Sequence, residues 1–239
     1  MADRDSALRV LTALRKSPVG DTAVLVGSSG LFGFPTEVPA LTEDVDIAVP
    51  EAAVSRHGPE IVEALRAQGF EHEAGTATFF GPDGAIFDLL GHGDPGQGDH
   101  IGGTEALRVM VFEDLSRVLS DPAATAVHPA GGRALTPAAF VVSKLLTERA
   151  HKGTKDKIQA LLVLAEREDA GFREEVVRLL REFGPVRLDD VRAGAQSAYF
   201  CLERDPAFSD AGAEGYAPVA RQVEIGLERL LSILEDLDG

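Results

Sequence analysis

Residues 41–50, with the sequence LTEDVDIAVP, decide how the chain is organised. Asp44 and Asp46 alternate with apolar β-branched residues in this segment, which predicts a β-strand that turns one face to a core. The apolar face is formed by Val45, Ile47 and Val49. Two residues along a strand span about 6.5 Å, so the two carboxylates can converge on one cation or on two neighbouring ones. Taken alone, the segment also fits an acidic strand edge that faces solvent.

Composition limits the class of protein. The 239 residues are 44% hydrophobic, which is enough for a packed core. The single cysteine, Cys201, excludes an internal disulfide framework and is expected to be a buried, inert thiol. We find no signal peptide and no apolar run of the ~18–20 residues that cross a bilayer. We therefore expect a cytoplasmic protein that has no membrane partner.

The charge balance is strongly acidic. The chain has 39 acidic and 23 basic residues, which give a formal net charge of −16. A field of this sign repels polyanions, so it argues against broad nucleic-acid binding and favours a cationic substrate or partner. A local basic cleft is still compatible with it.

The hydrophobic pattern changes character along the chain. Strand-like segments and turns dominate the first half, whereas helical periodicity dominates from Pro137 onward. We predict an α/β domain in residues 1–132, with a mixed sheet flanked by helices, and a C-terminal helical bundle in residues 133–239. Helices are predicted at residues 5–16, 59–70, 137–150, 155–168, 172–183, 188–203 and 217–237.

A glycine-serine turn precedes the acidic strand. Residues 22–26 predict a short buried strand, and Gly27-Ser28-Ser29-Gly30 follows it directly. The backbone N–H groups and a hydroxyl of such a turn can bind an anion. An ordinary tight turn explains the same residues.

Asp88 is a lone carboxylate in an apolar segment. Residues 76–80 and 85–90 predict a hairpin, and Asp88 lies in the middle of its second strand. A carboxylate among apolar neighbours is usually paired or coordinates a metal ion. The segment that follows, residues 91–103, predicts a flexible loop, in which His92 and His100 are expected to be loop residues rather than ligands.

Together these features resemble the nucleotidyltransferase superfamily, which has the polymerase-β-like fold. The matching residues, in order, are Gly27-Ser28, Thr42, Asp44-Val45-Asp46 and Asp88. In the helical half, Ser143-Lys144-Leu145 and the segment RAHKGTKDKI, residues 149–158, resemble AbiEii-type nucleotidyltransferases, which include toxins of toxin–antitoxin systems. The resemblance covers roughly residues 22–165. The turn of residues 27–30 departs from the double glycine that is usual in that family.

The resemblance implies a Mg²⁺-dependent enzyme that transfers a nucleotide from an NTP to an acceptor hydroxyl. Its two Mg²⁺ ions would stand about 3.5–4 Å apart and be held by carboxylates. The implied metal ligands are Asp44, Asp46 and Asp88. The implied nucleotide-binding residues are Gly27, Ser28, Ser29, Lys144 and Lys155. The implied catalytic residues are the same three aspartates together with Lys144 and Asp156. For Lys155 and Asp156, an ordinary helix start is the alternative explanation.

Two acceptor classes follow from the resemblance. A toxin-like member modifies RNA, with tRNA as the expected acceptor, and pairs with an antitoxin protein. A resistance-like member modifies a small hydroxylated molecule such as an aminoglycoside, which the acidic charge favours. A third interpretation, a non-catalytic nucleotide-binding or interaction module of the same fold, is opposed by the three intact aspartates. The acceptor is expected to be selected by Arg149, Lys152 and Lys155 of the helical half, with Glu148 taking this role for a cationic acceptor.

Overall fold

The acidic segment forms strand β2, Asp44–Pro50, inside the sheet of a computed structural model. Its β-branched residues are fully buried and its two aspartates are half-buried, in the alternation that the sequence predicts. The fully buried residues are Val45, Ile47 and Val49. One face of the strand therefore belongs to the core, and the other face carries the carboxylates.

The sheet combines parallel and antiparallel strands, which confirms the predicted mixed α/β class. The other strands are β1 (Val24–Leu25), β3 (Glu71–His72), β4 (Thr78–Phe80), β5 (Ile86–His92), β6 (His100–Gly103), β7 (Arg108–Val111), β8 (Thr125–Val127) and β9 (Arg133–Leu135). The strand order is β3-β4-β5-β2-β1-β9-β8, and β7 pairs with the end of β5 and with β6. The predicted hairpin is present as the antiparallel pair of β4 and β5.

Two units divide the chain. The structure describes residues 4–40, 42, 44–82, 84–129, 131–147, 153–204 and 220–238. Unit 1 comprises Met1–Pro35 and Ala40–Thr136, and unit 2 comprises Thr36–Pro39 and Pro137–Gly239. The boundary between the units falls after Thr136, whereas the sequence predicts it after residue 132. The difference arises because β9, Arg133–Leu135, pairs in parallel with β1 in the sheet of unit 1. None of the described helices is long and apolar enough to span a membrane.

Helices α1 and α2 pack on the apolar face of the sheet. Helix α1 spans Arg4–Leu14 and α2 spans Glu51–Arg66. Their buried residues join those of β2 and β5 in one core, which includes Leu11, Leu14, Ile61, Leu65, Phe87 and Leu89. The aspartates of β2 therefore lie on the face of the sheet opposite α1 and α2.

The start of α2 differs from the prediction. The helix begins at Glu51 rather than at residue 59, and it is kinked at His57, where the backbone leaves the helical region. Proline inside a helix lacks an amide proton and crowds the preceding turn. Pro59 thus explains the kink, and it lies in the first turn of the second helical segment.

The region after β5 is also more ordered than predicted. The expected loop of residues 91–103 is wrong at both ends, because β5 extends to His92 and β6 begins at His100. Helix α3, Glu113–Leu119, follows β7 and is absent from the predictions. Glycines and polar residues obscure these short elements in the sequence. Strand β6 pairs with the next strand, β7, and packs against α2, whereas α3 packs against β5.

Unit 2 is a helical bundle whose elements match the predicted helices closely. Its helices are α4 (Pro137–Leu146), α5 (Gly153–Glu166), α6 (Ala170–Leu180), α7 (Pro185–Arg204) and α8 (Ala220–Asp238). Residues 156–164 of α5 are all buried, since α4, α7 and α8 pack around that helix. Cys201 on α7 is exposed, so the prediction of a buried thiol is wrong.

A short segment from the first half of the chain belongs to unit 2. Thr36 Oγ1 donates a hydrogen bond to Glu166 Oε2 at 2.5 Å, and the Glu37 amide donates to Glu166 Oε1 at 3.1 Å. The side-chain amide of Gln159 donates to the Pro39 carbonyl at 3.3 Å. These polar contacts explain why residues 36–39 group with the helices rather than with the sheet.

Gly226 sets how closely α8 packs against α5. A Cβ atom at Gly226 would lie 2.0 Å from the backbone carbonyl oxygen of Leu161. Gly226→Ala must therefore push two helix backbones apart, which costs about 2–3 kcal/mol and exceeds the gain of about 1 kcal/mol in helix propensity. We expect urea denaturation to show a net loss of about 1–2 kcal/mol in the free energy of unfolding.

The matched control for that variant is Gly171→Ala. Gly171 is an exposed position of α6, where an added Cβ would meet only the Asp169 side chain, at 3.5 Å. The control should be neutral or slightly stabilising. Equal loss of stability in the two variants would contradict the close-packing explanation.

Candidate metal centre

The register of β2 and β5 brings the three predicted aspartates together. The two strands are parallel, and Asp46 lies directly opposite Asp88. Asp44 is two residues before Asp46 and shares its face of the sheet. One carboxylate oxygen from each of the three residues lies within 4.8 Å of the others, and all three side chains are half-buried. Residues that are distant in the sequence thus form one cluster, as the sequence predicts.

Threonine hydroxyls hold the two outer carboxylates. Thr78 lies opposite Asp88 on the antiparallel neighbour β4, and its Oγ1 donates to Asp88 Oδ1 at 2.5 Å. Thr42 Oγ1 lies 2.8 Å from Asp44 Oδ1 and 2.9 Å from the Asp44 carbonyl oxygen. Hydrogen bonds donated to a carboxylate stabilise its charged form. Neither threonine was predicted to orient an acid, although Thr42 belongs to the matching pattern.

Gly27 makes room for the third carboxylate. Its φ of +58° lies in the left-handed region, and a Cβ built there would be 1.8 Å from Asp46 Oδ2. No larger residue fits without moving the carboxylate. The structure therefore assigns Gly27 a steric role beside Asp46, in addition to the predicted phosphate binding, which remains a prediction.

The predicted glycine-serine turn is the first part of a 3-10 helix, Gly27–Gly33, and it is anchored to β2. Ser29 is fully buried; its hydroxyl donates to the Val26 carbonyl at 2.8 Å and accepts from the Asp46 amide at 3.0 Å. We therefore assign the Ser29 hydroxyl the role of positioning Asp46, and the predicted contact of Ser29 with the nucleotide remains a prediction. Ser28 is also buried, at 6% exposure, and its predicted phosphate contact remains a prediction.

The cluster fits a divalent cation. Like charges held this close repel one another unless a cation compensates them. Within the described part of the chain, neither Asp44 nor Asp88 forms an ion pair with a basic side chain. Carboxylate oxygens are the ligands that Mg²⁺ prefers. The donor set is therefore suitable for Mg²⁺, as the resemblance implies.

In unit 2, Lys144 and Asp156 form a buried ion pair. The two residues are 5% and 6% exposed, and Lys144 Nζ donates to Asp156 Oδ1. The ammonium also lies 5.9 Å from the centre of the Phe140 ring. The sequence predicts Lys144 as a triphosphate contact, whereas the structure gives it a buried carboxylate partner within its own unit. Lys144 is thus needed to compensate Asp156.

The remaining predicted basic residues are only partly accounted for. Lys155 is half-buried at the start of α5. Its neighbour Lys157 is buried and donates to the Thr147 carbonyl at 2.7 Å. Arg149 and Lys152, which were predicted to select the acceptor, lie outside the described residues, as does Glu148.

The two histidines of the predicted loop have different environments. His92 on β5 has a buried Nε2 without a hydrogen-bond partner among the described residues, and burial lowers its pKa to about 4. It is therefore neutral at pH 7. His100 on β6 bonds the Gly98 carbonyl and lies 3.2 Å from Glu51 Oε2, and these contacts raise its pKa. Both belong to strands, so their assignment to a loop is wrong.

The steric role of Gly27 can be tested against a second glycine that has the same kind of backbone. Gly84 has a φ of +80° but no atom within 4 Å of its added Cβ. In Gly84→Ala the free energy of unfolding should fall only by the cost of an alanine in the left-handed region, about 1–2 kcal/mol. In Gly27→Ala the free energy of unfolding should fall further, because the Asp46 carboxylate must also move. This variant should also bind Mn²⁺ more weakly than the parent, whereas Gly84→Ala should keep the parent affinity.

Urea denaturation and titration of bound Mn²⁺ by electron paramagnetic resonance measure the two effects. Unchanged Mn²⁺ affinity in Gly27→Ala would show that Gly27 does not control the position of Asp46.

The role of Lys144 can be tested through its partner. Lys144→Met leaves Asp156 buried without its cation, so the free energy of unfolding should fall by about 3–5 kcal/mol. The double variant Lys144→Met/Asp156→Leu should recover most of that loss, because no buried charge remains. Lys16→Met, at an exposed position of unit 1, serves as the control and should change stability by less than about 0.5 kcal/mol.

Denaturation and calorimetric NTP titration separate the two roles of this lysine. Lower NTP affinity together with unchanged stability in Lys144→Met would instead identify Lys144 as a nucleotide ligand.

No protein-family model and no curated protein matches the chain. The resemblance to nucleotidyltransferases therefore rests on the residues themselves. What the structure contributes is the geometry of the three aspartates, the hydroxyls beside two of them and the glycine beside the third.

Proposed function

We propose that the protein is a Mg²⁺-dependent nucleotidyltransferase that transfers a nucleotide from an NTP to an acceptor hydroxyl. The observation that carries the proposal is the convergence of Asp44, Asp46 and Asp88 within 4.8 Å on two parallel strands. A glycine-serine segment lies directly beside this cluster, since Gly27 abuts the Asp46 carboxylate. The same two features, in this order, are the ones that resemble the superfamily.

The chemistry requires such a cluster. Nucleotidyl transfer is an in-line attack on a phosphate that already carries negative charge. Bound Mg²⁺ would supply the positive charge that the attacking and leaving oxygens need. In this proposal Asp44, Asp46 and Asp88 hold the cations, and Gly27 and Ser28 bind the phosphates next to them. The threonines and Ser29 keep the carboxylates and their backbone in place.

The acceptor is proposed in two alternative classes. RNA, with tRNA as the expected substrate, is the acceptor in the toxin-like alternative, and an antitoxin protein would then be a partner. A small hydroxylated cation such as an aminoglycoside is the acceptor in the other alternative, which the net charge of −16 favours. Both alternatives place the reaction in the cytoplasm, where NTPs are available.

The test is transfer of label from each of the four α-labelled NTPs, with Mg²⁺ and either total RNA or a panel of aminoglycosides. Asp46→Asn should lower the transfer rate by at least on the order of 10²–10³-fold, the loss that follows removal of one preorganised electrostatic contact in other enzymes. Without metal, this variant should melt at the same temperature as the parent or higher, since repulsion within the cluster is relieved.

The control is Asp21→Asn, at an exposed position on the loop before β1. It makes the same chemical change away from the cluster and should transfer label at the parent rate. Label in RNA supports the toxin-like alternative, and label in a small molecule supports the other. Parent-level transfer by Asp46→Asn, or no transfer by the parent to either acceptor class, would contradict the proposal.

A further inference from the structure

Thr78, Asp88 and Asp46 form a row across three neighbouring strands. Thr78 on β4 lies opposite Asp88 on β5, and Asp88 lies opposite Asp46 on β2. The sheet order places β4 and β2 on the two sides of β5. The threonine thus approaches Asp88 from the side away from the other carboxylates.

The hydrogen bond from Thr78 engages one particular oxygen of Asp88. Thr78 Oγ1 donates to Asp88 Oδ1, and the O···O distance is 2.5 Å, the range of strong hydrogen bonds to a carboxylate. Threonine is β-branched and its χ1 is restricted, so a strand position fixes where the hydroxyl points. This hydrogen bond occupies one lone pair of Oδ1 on the β4 side, whereas Oδ2 keeps both of its lone pairs. Binding of a cation through both oxygens of Asp88 is therefore disfavoured relative to binding through Oδ2.

Thr42 does not hold Asp44 in the same exclusive way. Its Oγ1 lies at nearly equal distances from Asp44 Oδ1, at 2.8 Å, and from the Asp44 carbonyl oxygen, at 2.9 Å. A hydroxyl has one proton to donate, so these two acceptors share it. Thr78 is therefore the residue that restricts a carboxylate most firmly.

We propose that Thr78 is a positioning residue that limits Asp88 to coordination through one oxygen and so favours Mg²⁺ over Ca²⁺. The inference rests on the metal centre of the proposed function. Mg²⁺ takes six ligands at 2.0–2.1 Å in a strict octahedron, whereas Ca²⁺ takes about six to eight and often binds both oxygens of one carboxylate. The two ions have the same charge, so a site distinguishes them by its size, its flexibility and the number of oxygens it offers.

The experiment compares cation affinities in the full chain. Bound Mn²⁺ is followed by electron paramagnetic resonance, and Mg²⁺ or Ca²⁺ is added as competitor to the parent protein, Thr78→Val, Thr78→Ser and Thr76→Val. Valine keeps the shape of threonine and removes the hydroxyl, whereas serine keeps the hydroxyl. Thr76→Val is the matched control, because the Thr76 hydroxyl donates to the Glu73 carbonyl at 2.8 Å and not to an aspartate.

The expected result is a change in the ratio of the two affinities. Thr78→Val should lower Mg²⁺ affinity by about 10- to 100-fold, as loss of a residue that orients a ligand typically does. Its Ca²⁺ affinity should fall less, since Asp88 becomes free to bind with both oxygens, so the Mg²⁺/Ca²⁺ ratio falls. Thr78→Ser and Thr76→Val should both keep the parent ratio. A structural weakening alone would lower both affinities together and leave the ratio unchanged.

The outcomes separate this inference from the proposed function. A parent protein that binds none of the three cations overturns the metal centre itself. A parent that binds Mg²⁺ together with an unchanged ratio in Thr78→Val overturns only the role of Thr78. If circular dichroism shows that Thr78→Val is unfolded, Thr78→Ala, which adds no atoms, replaces it: a lower Mg²⁺/Ca²⁺ ratio supports the role of Thr78, and an unchanged ratio overturns it.

Discussion

The parallel register of β2 and β5 is the constraint on which the candidate site depends. Side chains alternate along a strand, so a slip of one residue would turn Asp88 into the core and Phe87 out of it. Phe87 and Ile47 are fully buried under α1 and α2, and their burial fixes the register. The apolar face of the sheet thus determines where the carboxylates lie on the other face. Stability and the position of the site have the same physical origin.

Three carboxylates on one face of the sheet repel one another, and the surrounding residues offset this electrostatic cost in different ways. Hydroxyl donors hold Asp88 and Asp44, while the backbone of Asp46 is tied to the 3-10 helix through Ser29. Gly27 contributes by lacking a side chain, because any Cβ there would meet the Asp46 carboxylate. In the proposed metal centre, these contacts would hold the carboxylates in place before a cation binds and so lower the entropic cost of ordering the ligands.

The parts of this arrangement that the sequence predicted are those with strong local patterns. The alternation in residues 41–50 predicted β2 and its acidic face, and an aspartate among apolar residues identified Asp88. Thr78 could not be assigned in the same way, since the predicted hairpin does not specify the register that places Thr78 opposite Asp88. The glycine-serine turn predicts a phosphate contact for Ser29, but its sequence does not reveal that the Ser29 hydroxyl bonds Val26 and Asp46 within the chain. Strand β6 and helix α3 escaped prediction for a related reason, since non-local contacts stabilise them.

Burial in unit 2 also bears on the choice of acceptor. The sequence places a run of basic residues at 149–157, which favours a polyanion such as RNA despite the acidic total. Lys157 donates to a backbone carbonyl, and Lys144, just before the run, compensates the buried Asp156. The side chains of Lys144 and Lys157 thus have partners within the bundle, in a chain whose net charge is already −16. Each phosphate contact of an RNA complex requires an accessible cation, whereas a cationic small molecule gains from the acidic field directly. Under the proposed function, the charges of the described residues therefore favour the small cationic acceptor over RNA.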